Sequence, residues 1–189
     1  MTVNPNNTLQ NNSRFLPLLS VIYSIGKRVH IPKGEIIIDE GTPCDFFFLV
    51  EQGAFRAYRH VDDVEVTLGF SFSGDIDTCP YAYFNHIHSL DTITALIDST
   101  IIRVERCDMD SVMTTNPAMK TFVETLLTHY LEIVIQRNIE LKSCTAEENY
   151  VKLLRTQPSI IPVIPLKYMA SYLGITQERL SRIRKKFKN

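Results

Sequence analysis

Residues 165–189 read PLKYMASYLGITQERLSRIRKKFKN, and this stretch decides how the rest of the chain is understood. Pro165 can open a helix whose inward face is Leu166, Met169, Ala170 and Leu173. Gly174 supplies a tight turn, Ile175 plugs it, and Thr176 can cap a second helix with Leu180, Ile183 and Phe187 inward. Small Ala170 lets the two helices approach. The pattern predicts a helix-turn-helix, and the outward side of the second helix then carries its meaning. Gln177, Glu178, Ser181 and Arg182 are placed to face base edges. Arg182 can make a bidentate pair to guanine, Glu178 can accept from cytosine N4, and Gln177 can read adenine. Thr176, Arg179, Arg184, Lys185, Lys186 and Lys188 are placed to meet phosphates.

Charge separates this end from the rest. Residues 166–189 hold seven Lys or Arg and one acidic residue, a net +6, whereas residues 1–165 hold thirteen basic and twenty acidic, a net −7. A basic end on an acidic body points to a polyanion, with nucleic acid first. The 189 residues are 44% hydrophobic and 22% charged, ordinary for a globular chain with a sizeable core. No apolar run approaches the roughly 20 residues that span a bilayer. Residues 1–12 carry five Asn and no apolar segment, which reads as a frayed tail and not a signal peptide. A cytoplasmic protein with no membrane partner is expected. Cys44, Cys79, Cys107 and Cys144 show no metal or redox spacing and are expected as free thiols.

Upstream, the texture is different. Between Val29 and Glu105, short runs rich in Ile, Phe, Val and Thr alternate with turn residues, the signal of an antiparallel sandwich or barrel. Asp62-Asp63 is a plausible hairpin turn. Arg14–Gly26 has the spacing of a short leading helix. From Asp108 the period changes to 3.6. Asn116-Pro117 marks the start of a long helix with no Gly or Pro from Ala118 to Ser143. Phe122, Val123, Leu126, Leu127, Tyr130, Ile133 and Val134 line its apolar side. That stripe exceeds what one β-domain must cover, so a second copy of the helix is the expected partner. Thr145-Ala-Glu-Glu148 is a capping box opening a further helix, Ala146–Gln157.

Taken together, these pieces resemble the Crp/Fnr family of bacterial transcription regulators over residues 14–189. The likeness rests on IPKGEIIIDEGTPCDFFFLVEQGAFRAYR, on Val64–Asp75 closing at Gly74-Asp75, and on ASYLGITQERLSRIRKKF. It implies an α+β chain: an antiparallel jelly roll like the cyclic-nucleotide-binding domain, a long dimerisation helix, and a C-terminal winged helix-turn-helix. The expected division is a disordered tail over 1–13, the β-roll effector domain over 14–115, the dimer helix over 116–143 and the DNA-binding unit over 144–189. Implied partners are a second copy of the chain, a palindromic double-stranded DNA site, a small-molecule effector and RNA polymerase. Of the family's Arg-Glu-x-x-x-Arg reading pattern, Glu178 and Arg182 match while Gln177 replaces the leading Arg, so the target site should differ.

Two departures matter. Where nucleotide-binding members carry a Gly-Glu-Leu turn and an Arg-Ser/Ala pair, this chain has Thr78-Cys79-Pro80 and Ser89-Leu90, and no Arg lies between Gly74 and Ile102. A buried, unpaired phosphate is costly, so cyclic AMP is not an expected ligand and no cofactor is expected. The resemblance instead points to an apolar effector pocket around Thr78, Cys79, Tyr81, Leu90, Thr92, Leu126 and Tyr130. The chain also stops at Asn189, so the wing is expected to be short. Two rival readings carry less. A cupin-like metal site could use His86 and His88 but has no third ligand, with Asp91 on the wrong strand parity. An adaptor that has lost DNA binding fits poorly with the outward face of the last helix. No G-x-S-x-G or phosphate-binding glycine loop suggests an enzyme.

Overall fold

The computed structural model describes residues 15–156, 158, 161 and 164–187. The expected tail at 1–13, and Lys188 with whatever wing follows it, lie outside these residues. A short helix, α1 (Leu16–Ile25), leads into eight strands: β1 (Lys27–Ile31), β2 (Ile36–Ile38), β3 (Phe46–Gln52), β4 (Ala54–Val61), β5 (Val64–Phe72), β6 (Ile76–Asp77), β7 (Thr92–Ala95) and β8 (Ser99–Glu105). Helix α2 (Pro80–Asn85) interrupts them between β6 and β7. Two antiparallel sheets result, ordered β1-β8-β3-β6 and β2-β7-β4-β5, in the jelly-roll-like manner expected.

Alternation along the strands decides what goes where. Phe48 of β3 and Phe55 of β4 meet between the sheets with ring centroids 5.1 Å apart, so the roll's interior is filled. Phe47 and Leu49 point the other way, onto helices. Asp62 and Asp63 both have positive φ, 49° and 61°, and Val61 pairs with Val64, a two-residue hairpin whose twist suits the strands. Gly26, after α1, is required by close approach: a Cβ there would lie 2.4 Å from Ile102 Cγ2 on β8.

After the roll come α3 (Arg106–Thr115), α4 (Pro117–Ser143), α5 (Ala146–Thr156), α6 (Leu166–Leu173) and α7 (Gln177–Lys186). Helix α3 starts two residues before the expected Asp108, and Asn116 occupies the N-cap position of α4 without a side-chain capping bond. The capping box of α5 forms as read: Thr145 N–H donates to Glu148 Oε2 at 2.7 Å and Glu148 N–H to Thr145 Oγ1 at 3.2 Å.

Helix α4 corrects one expectation. Its apolar residues do not form a single stripe. Phe122, Val123 and Leu126 pack on the core of the roll, and Leu127, Tyr130 and Ile133 line a cavity beside it. A second stripe, Leu131, Val134, Ile135, Ile139 and Leu141, faces outward and is 44–58% exposed. Of the residues assigned to a dimer interface, Val134 alone belongs to this outer set. The last quarter of the chain is not a separate ball. Ala54, Phe70, Phe72 and Leu96 of the roll share one buried cluster with Tyr150 and Leu153 of α5, Met169 and Leu173 of α6, and Leu180 and Ile183 of α7.

Candidate nucleic-acid interface

Helices α6 and α7 and the turn between them follow the sequence reading closely. Gly174 sits at φ 65° and ψ 34°, a conformation that favours glycine, and its N–H closes α6 onto Ala170 and Ser171 carbonyls. Thr176 Oγ1 accepts from Arg179 N–H at 3.2 Å and caps α7. Leu180 and Ile183 are buried, and Ile175 packs against the same core. Phe187 departs from its inward assignment: it stands 6.4 Å from the Tyr150 ring but is 43% exposed.

The free face of α7 carries Gln177, Glu178, Arg179, Arg182, Lys185 and Lys186, all exposed, with Ser181 half-buried at its edge. Glu178 is held below the usual carboxylate range by hydrogen bonds from its own backbone N–H and from the Thr176 hydroxyl, with Arg182 adding attraction. It therefore stays an acceptor at neutral pH. Two of the expected phosphate contacts are engaged within the chain. Arg184 turns inward, donating from Nη2 to the carbonyls of Ile161 and Ile164 at 3.3 and 3.2 Å, with its guanidinium 5.7 Å from the Tyr150 ring. Lys186 reaches Glu147 Oε2 at 2.7 Å. Arg179, Arg182 and Lys185 remain as the outward cations.

The opposite side of α6 holds the roll, a contact that sequence reading did not find. Strand β5 is a sheet edge, and Ser171 covers it: Thr67 N–H donates to Ser171 Oγ at 2.9 Å, and the same hydroxyl donates to Glu65 O at 3.3 Å. Arg56 of β4, only 2% exposed, lies between the rings of Tyr58 and Tyr168, 4.2 and 3.8 Å from their centroids. It donates to Glu65 Oε2 at 2.6 Å and to Thr67 Oγ1 at 3.0 Å. From α4, Arg137 donates to Tyr172 O and stacks 3.9 Å over that ring.

A cavity of about 120 Å³ lies between the outer face of the β1-β8-β3-β6 sheet and helices α1, α2, α3 and α4. Of the expected pocket residues it brings together Thr78, Leu126 and Tyr130. Burial pushes the Tyr130 hydroxyl up to about 12. The remaining four go elsewhere. Cys79 is buried with its Sγ 3.4 Å from Asp91 Oδ2, and Thr92 is buried on the other sheet, donating to Asp39 Oδ1 at 3.2 Å. Tyr81 and Leu90 are exposed. Phe47, Tyr83, Met109 and Met113 line the cavity and were missed. The alternation of Phe47 against Phe48 was the one available signal. His86 accepts from Arg106 and His88 pairs through its backbone with Pro43. Among the described residues no group of three or more His, Cys, Asp or Glu could hold a metal, and no helix is long and apolar enough to cross a membrane.

Residues 28–116 match the cyclic nucleotide-binding domain family. The fold of the whole is that of the Crp/Fnr regulators. FixK2 from Bradyrhizobium japonicum superimposes with a TM-score of 0.74 at 19% identity, over 86% of this chain and 84% of that one. A Eubacterium rectale protein assigned to the Crp/Fnr family gives 0.69 at 19% identity, over 92% and 83%. The c-di-GMP responsive global regulator CLP of Xanthomonas campestris gives 0.68 at 14% identity, over 91% of each chain. At such identities the likeness is one of fold. No curated protein sequence matches this chain.

Proposed function

We propose that this chain is a sequence-specific DNA-binding transcription regulator of the Crp/Fnr type, acting as a cytoplasmic homodimer and not as an enzyme. The observation that carries this is the free face of α7, where exposed Gln177, ionised Glu178 and Arg182 stand beside Arg179 and Lys185 with no other acidic residue on the helix. Such a face offers acceptors and donors for base edges flanked by cations for phosphates. In this reading α7 is the second, reading helix of a helix-turn-helix, a role that α6 and the Gly174 turn support, and residues 144–189 are the DNA-binding unit.

The outer stripe of α4 is the basis for the dimer. Leu131, Val134, Asn138 and Leu141 follow a three-four spacing, with Ile135 and Ile139 beside them, which fits a parallel pairing of two such helices. Paired in this way, two α7 helices would enter major grooves about 34–36 Å apart on a palindromic site. RNA polymerase would then be met from DNA-bound protein. Selection of bound duplexes from a random pool, with purified protein at physiological salt and no ligand, tests the reading. Enrichment of a palindrome is the expected result. Failure to enrich any sequence, with and without added ligands, would leave a dimeric adaptor.

Cyclic AMP should not be the effector. No Arg or Lys lies between Gly74 and Ile102, and nearby Arg59 is committed to Asp91 at 2.7 Å. Isothermal titration with cyclic AMP should give no saturable heat in the micromolar range; saturation there would overturn this part of the reading.

A further inference from the structure

The outer stripe of α4 has one polar member. Leu131, Val134, Asn138 and Leu141 keep a three-four-three spacing, which is how the two kinds of seam position alternate in a two-stranded coil. The order of the steps says which kind each residue is. A first-type position is followed after three residues by a second-type position, and that one after four by the next first-type position. Leu131 and Asn138 are therefore first-type, and Val134 and Leu141 second-type. Leu131, Val134 and Leu141 are apolar and 44–58% exposed, and Asn138 is exposed among them. One heptad before Leu131 stands Glu124, beside Val123 and Leu126, which pack on the roll. The seam therefore starts at Leu131.

Asn138 restricts what can cover this stripe. Under an apolar surface its amide would lose water and gain no partner, which is costly. A second copy of α4 avoids that in one arrangement. In a parallel pair without slip, like positions meet, so the two Asn138 amides face each other. Each amide carries both donors and an acceptor, so the pair is self-complementary. A parallel pair slipped by one heptad sets Asn138 against Leu131. An antiparallel pair sets first-type against second-type positions, so Asn138 meets an apolar residue such as Val134. The polar complement of Asn138 is thus its own counterpart in a second chain.

We propose that Asn138 sets the register and the parallel direction of the α4 pair, and that it does so at a loss of strength in the pair. The inference rests on the dimer reading above and adds what selects its geometry. Direction decides what the dimer can do. Helix α4 has 27 residues, about 40 Å at 1.5 Å per residue, and α5, α6 and α7 all follow its C-terminal end. Parallel pairing puts both α7 helices at one end. Antiparallel pairing puts them at opposite ends, and a one-heptad slip displaces one copy by about 10 Å and breaks the two-fold symmetry. Neither of those arrangements matches two half-sites of a palindrome.

The test compares the full chain with Asn138→Leu and with Gln136→Leu, which makes a similar change at an exposed position off the seam. Sedimentation equilibrium reads mass and dissociation constant. Register is read by adding Leu141→Cys to each, with Cys107→Ser and Cys144→Ser removing the two thiols that are not buried. Oxidation then joins two copies only where their 141 positions face each other. The unchanged chain should be a dimer that cross-links almost fully at 141. Asn138→Leu should tighten association by about tenfold or more, because an amide leaves an apolar seam. It should also form complexes larger than a dimer, or lose about half or more of the cross-linking at 141, because the choice of geometry is lost. Gln136→Leu should match the unchanged chain. If Asn138→Leu does not tighten association, stays wholly dimeric with full cross-linking, or is matched by Gln136→Leu, the role of Asn138 is overturned and the dimer stands. A wild-type dimer that cross-links poorly at 141 overturns the parallel seam, and a wild-type monomer at its highest soluble concentration overturns the dimer reading as well. None of these readouts uses DNA, so a dimer that behaves as expected but binds no duplex refutes the regulator reading alone.

Discussion

Replacing Arg182 by glutamate should remove most of the proposed sequence-specific DNA binding and leave the fold intact. Arg182 is exposed on α7 beside Glu178 and is not part of the buried core. A bidentate arginine–guanine pair is worth about 1–3 kcal/mol of discrimination, so Arg182→Ala should lower affinity for the selected duplex by about 10- to 100-fold. The glutamate adds repulsion from the DNA and should carry the loss past about 100-fold. Arg182→Lys keeps the charge and loses the fork, and should fall between wild type and alanine. Arg184→Ala is the informative contrast. It removes two bonds to the Ile161 and Ile164 carbonyls, so it should lower the melting temperature more than Arg182→Ala does. Fluorescence anisotropy on the selected duplex, with melting curves for each variant, checks both. Unchanged affinity in both Arg182→Ala and Arg182→Glu would mean that this face of α7 does not read DNA.

The contrast between Arg182 and Arg184 also marks what could be learned from sequence. The turn and cap of the last two helices are local matters: Gly174 permits the left-handed residue, Thr176 bonds three residues on, and Leu180 and Ile183 recur at helical spacing. The hairpin at Asp62-Asp63 is equally local. Nothing local separates Arg184 from its neighbours, because its partners are carbonyls at 161 and 164, on a different segment. Helix α4 was ambiguous for a related reason. Its apolar residues occupy more than half its circumference, so spacing alone cannot say which of them meet the roll and which face outward. Of the expected pocket residues, Thr78, Leu126 and Tyr130 line the cavity while Cys79, Tyr81, Leu90 and Thr92 lie elsewhere, since α2 turns Tyr83 inward and leaves Tyr81 exposed. Least legible was the contact of α6 with the roll, in which Arg56 meets Tyr168 across more than a hundred residues.

That contact carries the largest expected stability effect. Arg56→Ala should destabilise the chain by about 3 kcal/mol, since it removes two cation–π contacts and leaves a void between Tyr58 and Tyr168. Arg56→Lys should lose about 1–2 kcal/mol, because an ammonium cannot fill the space of a stacked guanidinium. Glu65→Gln should cost less still, about 1 kcal/mol or below, as Glu65 is 40% exposed and its pair is screened by solvent. Urea denaturation of the three variants gives the order directly, and an unchanged midpoint in Arg56→Ala would show that the contact contributes nothing. The pair also sets a pH signature. The hydrogen bond from Arg56 holds the Glu65 carboxyl below its usual range. A carboxyl depressed on folding stabilises above its unfolded pKa of about 4.3, and that contribution fades as pH falls through the lower folded value. Glu65→Gln should flatten this acid limb without altering stability differences above neutrality. The consequence for function follows from geometry. Arg56, Ser171 and Arg137 fix α6 on the roll and on α4, so in the proposed dimer these contacts would set the spacing between two α7 helices. Arg56→Ala should therefore weaken binding to a palindrome more than binding to one isolated half-site, because only the palindrome requires the two reading helices to be held at a fixed separation.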